Sequence, residues 1–208
     1  MSYEKRERIV TILILLLFLL AVAAHYAVSP WGFYSRVSSH EAAQRMRLVR
    51  QAESWLGYRE ADGSHTRILS IYNAHQPLAM GYTVQDTDSW CAAFVSAAAI
   101  EAGLTDIIPT ECGCERQIGL FQTLGRWEED DNAVPQPGDL IYYDWDQKTQ
   151  GQSLGWSDHV GIVVGVKWPF LKVIEGNKDD CVSFRRIPLG HKSIRGYAMP
   201  DYGNRPNP

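Results

Sequence analysis

Along the chain the spacing of apolar residues changes twice, and each change marks a different kind of element. From Ile9 to Ala24 the residues are apolar except for Thr11, and the run can extend to Val28. A helix of this stretch is apolar on every face and approaches the roughly 20 residues needed to span a membrane. Lys5, Arg6 and Arg8 precede it, a basic flank that stays on the cytoplasmic side. Ala21-Val22-Ala23 also fits a small-x-small cleavage site, so residues 1–29 are either a single-pass anchor or a signal peptide removed near residue 23. Both readings place the remainder outside the membrane, with residues 30–38 as a linker.

After the linker the apolar period becomes helical. Ser38 and Glu41 form a capping-box pattern ahead of Ala42, Met46, Val49, Ala52 and Leu56, and Gly57 ends the run. A short helix is predicted over Thr66–His75, and residues 76–87 read as a loop. Cys91–Ala102 is alanine-rich, without internal Gly or Pro, and is stopped by Gly103; Asp88 and Ser89 are candidate N-caps. Another helix is expected from Glu115 to Leu124. After the turn at Pro135-Gln136-Pro137-Gly138 the pattern switches to strands: Asp139–Trp145, His159–Val166, Leu171–Glu175, Val182–Ile187 and Ser193–Met199. Helices followed by strands on short loops predict an α+β domain with an antiparallel sheet over residues 39–202. Residues 203–208 are expected to form a disordered tail.

Composition narrows the function classes. The 208 residues carry a net charge of −4, and no basic run interrupts the part after the apolar segment, which excludes a nucleic-acid-binding protein. Four cysteines, at 91, 112, 114 and 181, are too few for a disulfide scaffold of this length. Cys112-Gly113-Cys114 lacks a second Cys or His pair at finger-like spacing, so neither a metal nor a cofactor is expected.

Candidate chemistry starts at Cys91. The first turn of a helix carries unpaired N–H groups and a partial positive charge, which favour a thiolate and can bind an oxyanion. A buried cysteine acting as a small apolar residue is the competing reading. A thiolate needs a base, and the base needs a group to orient it. Among six histidines, His159 is singled out because it opens the apolar strand Val160–Val164. Glu175 ends another apolar strand, where a buried carboxylate needs a partner, and Asn177 shares its face if the strand continues. Glu175-Gly176-Asn177 reads equally as a turn. Tyr82, Trp90, Trp145 and Trp156 are candidate groove walls, or core aromatics.

In chain order, Trp90-Cys91-Ala92-x-Phe94-Val95-Ser96, Pro137-Gly138-Asp139-Leu140-Ile141, Asp158-His159-Val160-Gly161-Ile162-Val163 and Ile174-Glu175-Gly176-Asn177 together resemble the CHAP family. The late Ile194-x-Gly196-Tyr197 fits as well. These are cysteine, histidine-dependent amidohydrolases/peptidases that cleave amide bonds in bacterial peptidoglycan. The resemblance implies a papain-like CHAP fold, with N-terminal helices packed on a five- to six-stranded antiparallel sheet. It implies Cys91 as nucleophile, His159 as general base, and Glu175 and Asn177 as orienting groups. Two departures stand out: Ala97 where the family often has Trp, and only Asp86 and Asp88 where some members carry an acidic calcium loop.

The expected protein is thus a monomeric extracytoplasmic hydrolase held at the cell membrane, or secreted if cleaved, with peptidoglycan as substrate. It would be an N-acetylmuramoyl-L-alanine amidase or a stem or bridge endopeptidase. The rival readings are a non-catalytic wall-binding module and a thiol redox protein built on Cys112 and Cys114.

Overall fold

Ser38 opens the first helix: its Oγ accepts the N–H of Glu41 at 3.0 Å, the first half of the capping box, and α1 runs Ser39–Glu53. The computed structural model describes residues 38–145 and 156–204. The chain divides into two compact units, residues 1–42 and 43–208. Of the first, residues 38–42 are described, and they begin α1. The apolar run and the linker lie outside the described residues, as do 205–208. No helix among the described residues is long and apolar enough to cross a membrane.

In the second unit, α2 (Thr66–Ala74), α3 (Cys91–Glu101) and α4 (Cys114–Thr123) follow. The strands are β1 (Trp127–Glu128), β2 (Leu140–Tyr143), β3 (His159–Lys167), β4 (Phe170–Lys178), β5 (Cys181–Pro188) and β6 (Ile194–Ala198). They form one antiparallel sheet in the order β1-β6-β2-β3-β4-β5. Five of these strands match the apolar pattern. The edge strand β1 does not, because two residues cannot show a period. This α+β architecture is consistent with the papain-like fold the resemblance implies. Gly203 and Asn204, assigned to the tail, instead close a short 3₁₀ turn over Tyr202–Asn204, with Asn204 Nδ2 donating to Asp201 at 2.6 Å.

Helix α3 is the centre of the core. Every residue from Cys91 to Ala99 is buried, as its all-apolar circumference requires. It packs with Tyr142, Val160, Ile162 and Ile174 on one face of the sheet, while Tyr143, Val163 and Val173 belong to a second cluster on the other face. Strand alternation produces that division. Close packing of α3 on β4 depends on Gly176: a Cβ there would meet Phe94 Cβ at 2.4 Å and Trp90 Cζ3 at 2.8 Å. Gly103 ends α3 at φ +63°. The N–H groups of Gly103 and Leu104 donate to Ile100 at 2.9 Å and Ala99 at 2.8 Å, closing a Schellman motif.

Candidate active site

Cys91 is the first residue of α3. Asp88 and Ser89, expected as caps, do not cap it. Trp90 holds the N-cap position and makes no side-chain capping bond, while the Asp88 carboxylate accepts the Gln85 N–H at 2.8 Å and the Tyr82 hydroxyl at 2.7 Å. A helix start with no capping side chain keeps its first-turn N–H groups available to an incoming anion.

His159 opens β3 opposite Tyr143 of β2, so its imidazole lies at the sheet end where Cys91 sits. Its Nε2 meets Glu175 Oε2 at 3.1 Å, which leaves Nδ1 for the thiol. The His159 ring and the Val160 backbone N–H both act on the Cys91 sulfur and favour its thiolate. Glu175 is completely buried and fully partnered. Besides His159 it accepts the Tyr143 hydroxyl at 2.9 Å and Arg185 Nε at 2.7 and 2.9 Å. The His159 ring stacks on Tyr143 with centroids 5.8 Å apart, and Tyr143 stacks on Trp145 at 4.9 Å. Gly161 makes room for this arrangement, since a Cβ there would meet Glu175 Cγ at 2.7 Å.

Protonation follows from these contacts. The Cys114 S–H, followed by the His159 ring and its charge, holds Cys91 well below the ordinary thiol range despite burial. Burial pulls His159 down, but Cys91 and Glu175 outweigh it and push the ring up to about 9. Burial works to raise Glu175, yet His159 and Arg185 keep it below the ordinary carboxylate value. Both directions favour the thiolate–imidazolium form of the pair. Both ring nitrogens then carry protons and the tautomer question falls away.

Five of the expected site residues need comment. Asn177 does not join the imidazole: no hydrogen bond links the two among the described residues. It adopts φ +56°, and the β4–β5 register slips between Glu175 and Lys178, so the alternation that would align it with Glu175 is broken. Trp90 is fully buried, with Nε1 donating to Glu60 at 2.9 Å, and so supports the site from the core rather than lining a groove. Tyr82 does line a cleft, of about 470 Å³, with Met80, Asp88, Ser89, Gly113 and Arg116, beside the residues that precede Cys91 and Cys114. Trp156 is exposed, whereas Trp145 lies under the Arg185 guanidinium at 4.5 Å.

Three contributors escaped the sequence reading. Arg185 and Tyr143 reach Glu175 through strand pairing, and Cys114 Sγ lies 3.6 Å from Cys91 Sγ. Cys114 is brought there by Ser96 of α3, which donates to Glu111 O at 2.7 Å and accepts Glu111 N–H at 2.8 Å. The Glu111 carboxylate then accepts the N–H groups of Cys112 and Gly113 at 2.7 and 3.1 Å, just ahead of α4. No cluster of three His, Cys, Asp or Glu side chains among the described residues is arranged to hold a metal.

A sulfur at a helix N-terminus, beside an imidazole that a buried carboxylate orients, is an arrangement suited to nucleophilic thiol chemistry. Residues 81–177 match the family model of the CHAP domain. No curated protein matches the chain. Among solved structures it is similar to Ly7917, with 18% identity, 53% of each chain covered and a TM-score of 0.34. It is also similar to an NlpC/P60 family protein from Bacillus cereus ATCC 10987, with 19% identity, 74% of this chain and 39% of that one covered, and a TM-score of 0.39. The chain thus spans about half of the first and two fifths of the second.

Proposed function

We propose that the protein is an extracytoplasmic cysteine hydrolase that cleaves amide bonds in bacterial peptidoglycan, as an N-acetylmuramoyl-L-alanine amidase or a stem or bridge endopeptidase. The observation that carries this reading is the buried Cys91–His159–Glu175 cluster, whose members all lie in the stretch that matches the CHAP family model. The apolar run at residues 9–28 supports a membrane anchor, or a secreted form if it is cleaved, and the catalytic unit would act as a monomer.

The steps follow from the geometry. The Cys91 thiolate attacks the scissile carbonyl carbon, and the electron pair moves to oxygen. That oxyanion lies at the start of α3, where the Cys91 N–H and the helix dipole stabilise it. As the tetrahedral centre collapses, the C–N bond breaks and the His159 imidazolium gives its proton to the leaving amine. Neutral His159 next takes a proton from water, whose hydroxide attacks the thioester; collapse expels the Cys91 thiolate and restores the ion pair. Glu175 keeps the ring turned correctly and favours its charged form through both half-reactions. Arg185 and Tyr143 hold Glu175 in place, so they are positioning residues.

The test is mass spectrometry of fragments released from purified peptidoglycan by the full-length chain in detergent. Fragments with a new N-terminal alanine assign an amidase, and a cut inside the stem or bridge assigns an endopeptidase. Binding to the wall without any released fragment overturns the proposal in favour of a non-catalytic binding module.

A further inference from the structure

Cys114 takes no part in the acyl-transfer steps, yet its sulfur lies 3.6 Å from the nucleophile. Both cysteines are free and buried, and each is the first residue of its helix. The juxtaposition is built rather than incidental. Ser96 fixes Glu111 to α3, Glu111 holds the chain ahead of α4, and Arg116 binds Glu111 at 2.8 Å. Gln117 of α4 is fixed in turn by Pro109 O and by the Tyr142 hydroxyl, each at 2.9 Å. Two independent helix N-termini are thereby locked with their thiols face to face.

We propose that Cys114 is the resolving thiol of a reversible peroxide-sensitive switch, in which Cys91 and Cys114 form a disulfide that masks the nucleophile. The Cys91 thiolate attacks one oxygen of hydrogen peroxide and the O–O bond breaks. The products are a Cys91 sulfenic acid and hydroxide, which is protonated to water. The Cys114 sulfur then attacks the Cys91 sulfur, and the hydroxyl departs with the Cys114 proton as a second water. Two thiols are oxidised by two electrons and one peroxide is reduced to two waters. A dithiol reductant reverses the bond by exchange and is itself oxidised to a disulfide. The sulfurs must close by about 1.5 Å to reach disulfide length, a displacement of the size a side-chain rotation supplies.

The order of events follows from the electrostatics. In the resting site Cys114 is held as a thiol, first by its hydrogen bond to Cys91 and then by burial and the Cys91 charge. Conversion of Cys91 to a neutral sulfenic acid removes the first and last of these causes, and the N-terminus of α4 then favours the Cys114 thiolate. The resolving thiol is thus released by the very step that creates its target. Only the loss of hydrolysis on oxidation rests on the function proposed above; the bond itself is read directly.

The experiment treats the reduced full-length chain in detergent with about one equivalent of hydrogen peroxide, blocks remaining thiols, and maps peptides without reduction. The expected product is the Cys91 peptide joined to the Cys114 peptide, about 2 Da lighter than their sum and separated by dithiothreitol. In Cys114→Ser, Cys91 should advance to sulfinic acid, and the fraction recovered by reductant should fall at least about tenfold. The proposal is overturned if wild-type Cys91 becomes sulfinic or sulfonic acid to the same extent as in Cys114→Ser. It is equally overturned if Cys91 is joined to Cys112 or Cys181 instead. Neither readout needs peptidoglycan, so a protein that failed to cleave the wall would still answer the question.

Discussion

Replacing Glu175 with Gln tests the electrostatic core of the site while keeping its shape. The His159 ring is raised from 6.5 to about 9 against the pull of burial, a gap equivalent to about 3 kcal/mol in favour of the imidazolium. Cys91 and Glu175 are the two anionic groups that supply it against burial, with Cys91 the larger contributor. Removing the Glu175 charge should lower the ring's pKa by about one pH unit, weakening the ion pair by about 1.4 kcal/mol. The Arg185 guanidinium, at 2.7 Å from Glu175, loses its counter-charge as well and adds repulsion toward the imidazolium. The assay is the rate of iodoacetamide alkylation from about pH 4 to about pH 10, which follows the thiolate, with peptide mapping to separate Cys91 from the other three cysteines. Wild type should show reactive Cys91 well below the ordinary thiol range and a second inflection near 9. Glu175→Gln should show that inflection moved down by about one pH unit. An inflection left within about 0.3 pH unit of wild type would refute the assigned role of Glu175.

Three further outcomes follow from packing and linkage. Gly176→Ala places a Cβ against Phe94 and Trp90 and should cost about 1–3 kcal/mol of stability, read as a lower Tm together with lost hydrolysis as α3 shifts from β4. Ser96→Ala strips both partners from the buried Glu111 backbone; a denaturant midpoint lowered by about 1–3 kcal/mol and slower Cys91–Cys114 oxidation are expected. The Cys91–His159 pair also fixes a pH window. His159, raised from 6.5 to about 9, contributes stability that is complete below 6.5 and lost through 9, while Cys91, lowered from 9.0, regains its own contribution over that range. Folded and unfolded chains then each hold one proton between 6.5 and 9, so the pair's contribution is flat there and declines below 6.5 as the unfolded chain binds a second. Urea melts of wild type against Cys91→Ala across pH should show that plateau and fall in their difference.

Much of this site was legible because its parts sit at element boundaries. A Gly stop at 103 and the switch to strand period put Cys91 at a helix start and His159 at a strand start, and the four CHAP-like motifs joined them. The errors came where tertiary contacts overrode local rules. Asp88 is a good capping residue, but its carboxylate is taken by Gln85 and Tyr82, and Trp90 fills the cap position. Asn177 was aligned with Glu175 by strand alternation, which its left-handed backbone cancels. Arg185 faces Val173 across β4–β5 and is a diagonal neighbour of Glu175, a relation that needs the register. Cys112-Gly113-Cys114 suggested metal or redox chemistry as a motif in itself. Its place beside Cys91 depends on the Ser96–Glu111 bonds, which no spacing in the sequence announces.

The most direct test of the central claim is digestion of purified peptidoglycan by the full-length chain carrying Cys91→Ala, beside wild type at equal concentration. The account predicts release of soluble fragments by wild type and a loss of at least about 10⁴-fold in the variant, since both the nucleophile and the ion pair are gone. Digestion that persists in Cys91→Ala at a rate comparable to wild type would contradict it.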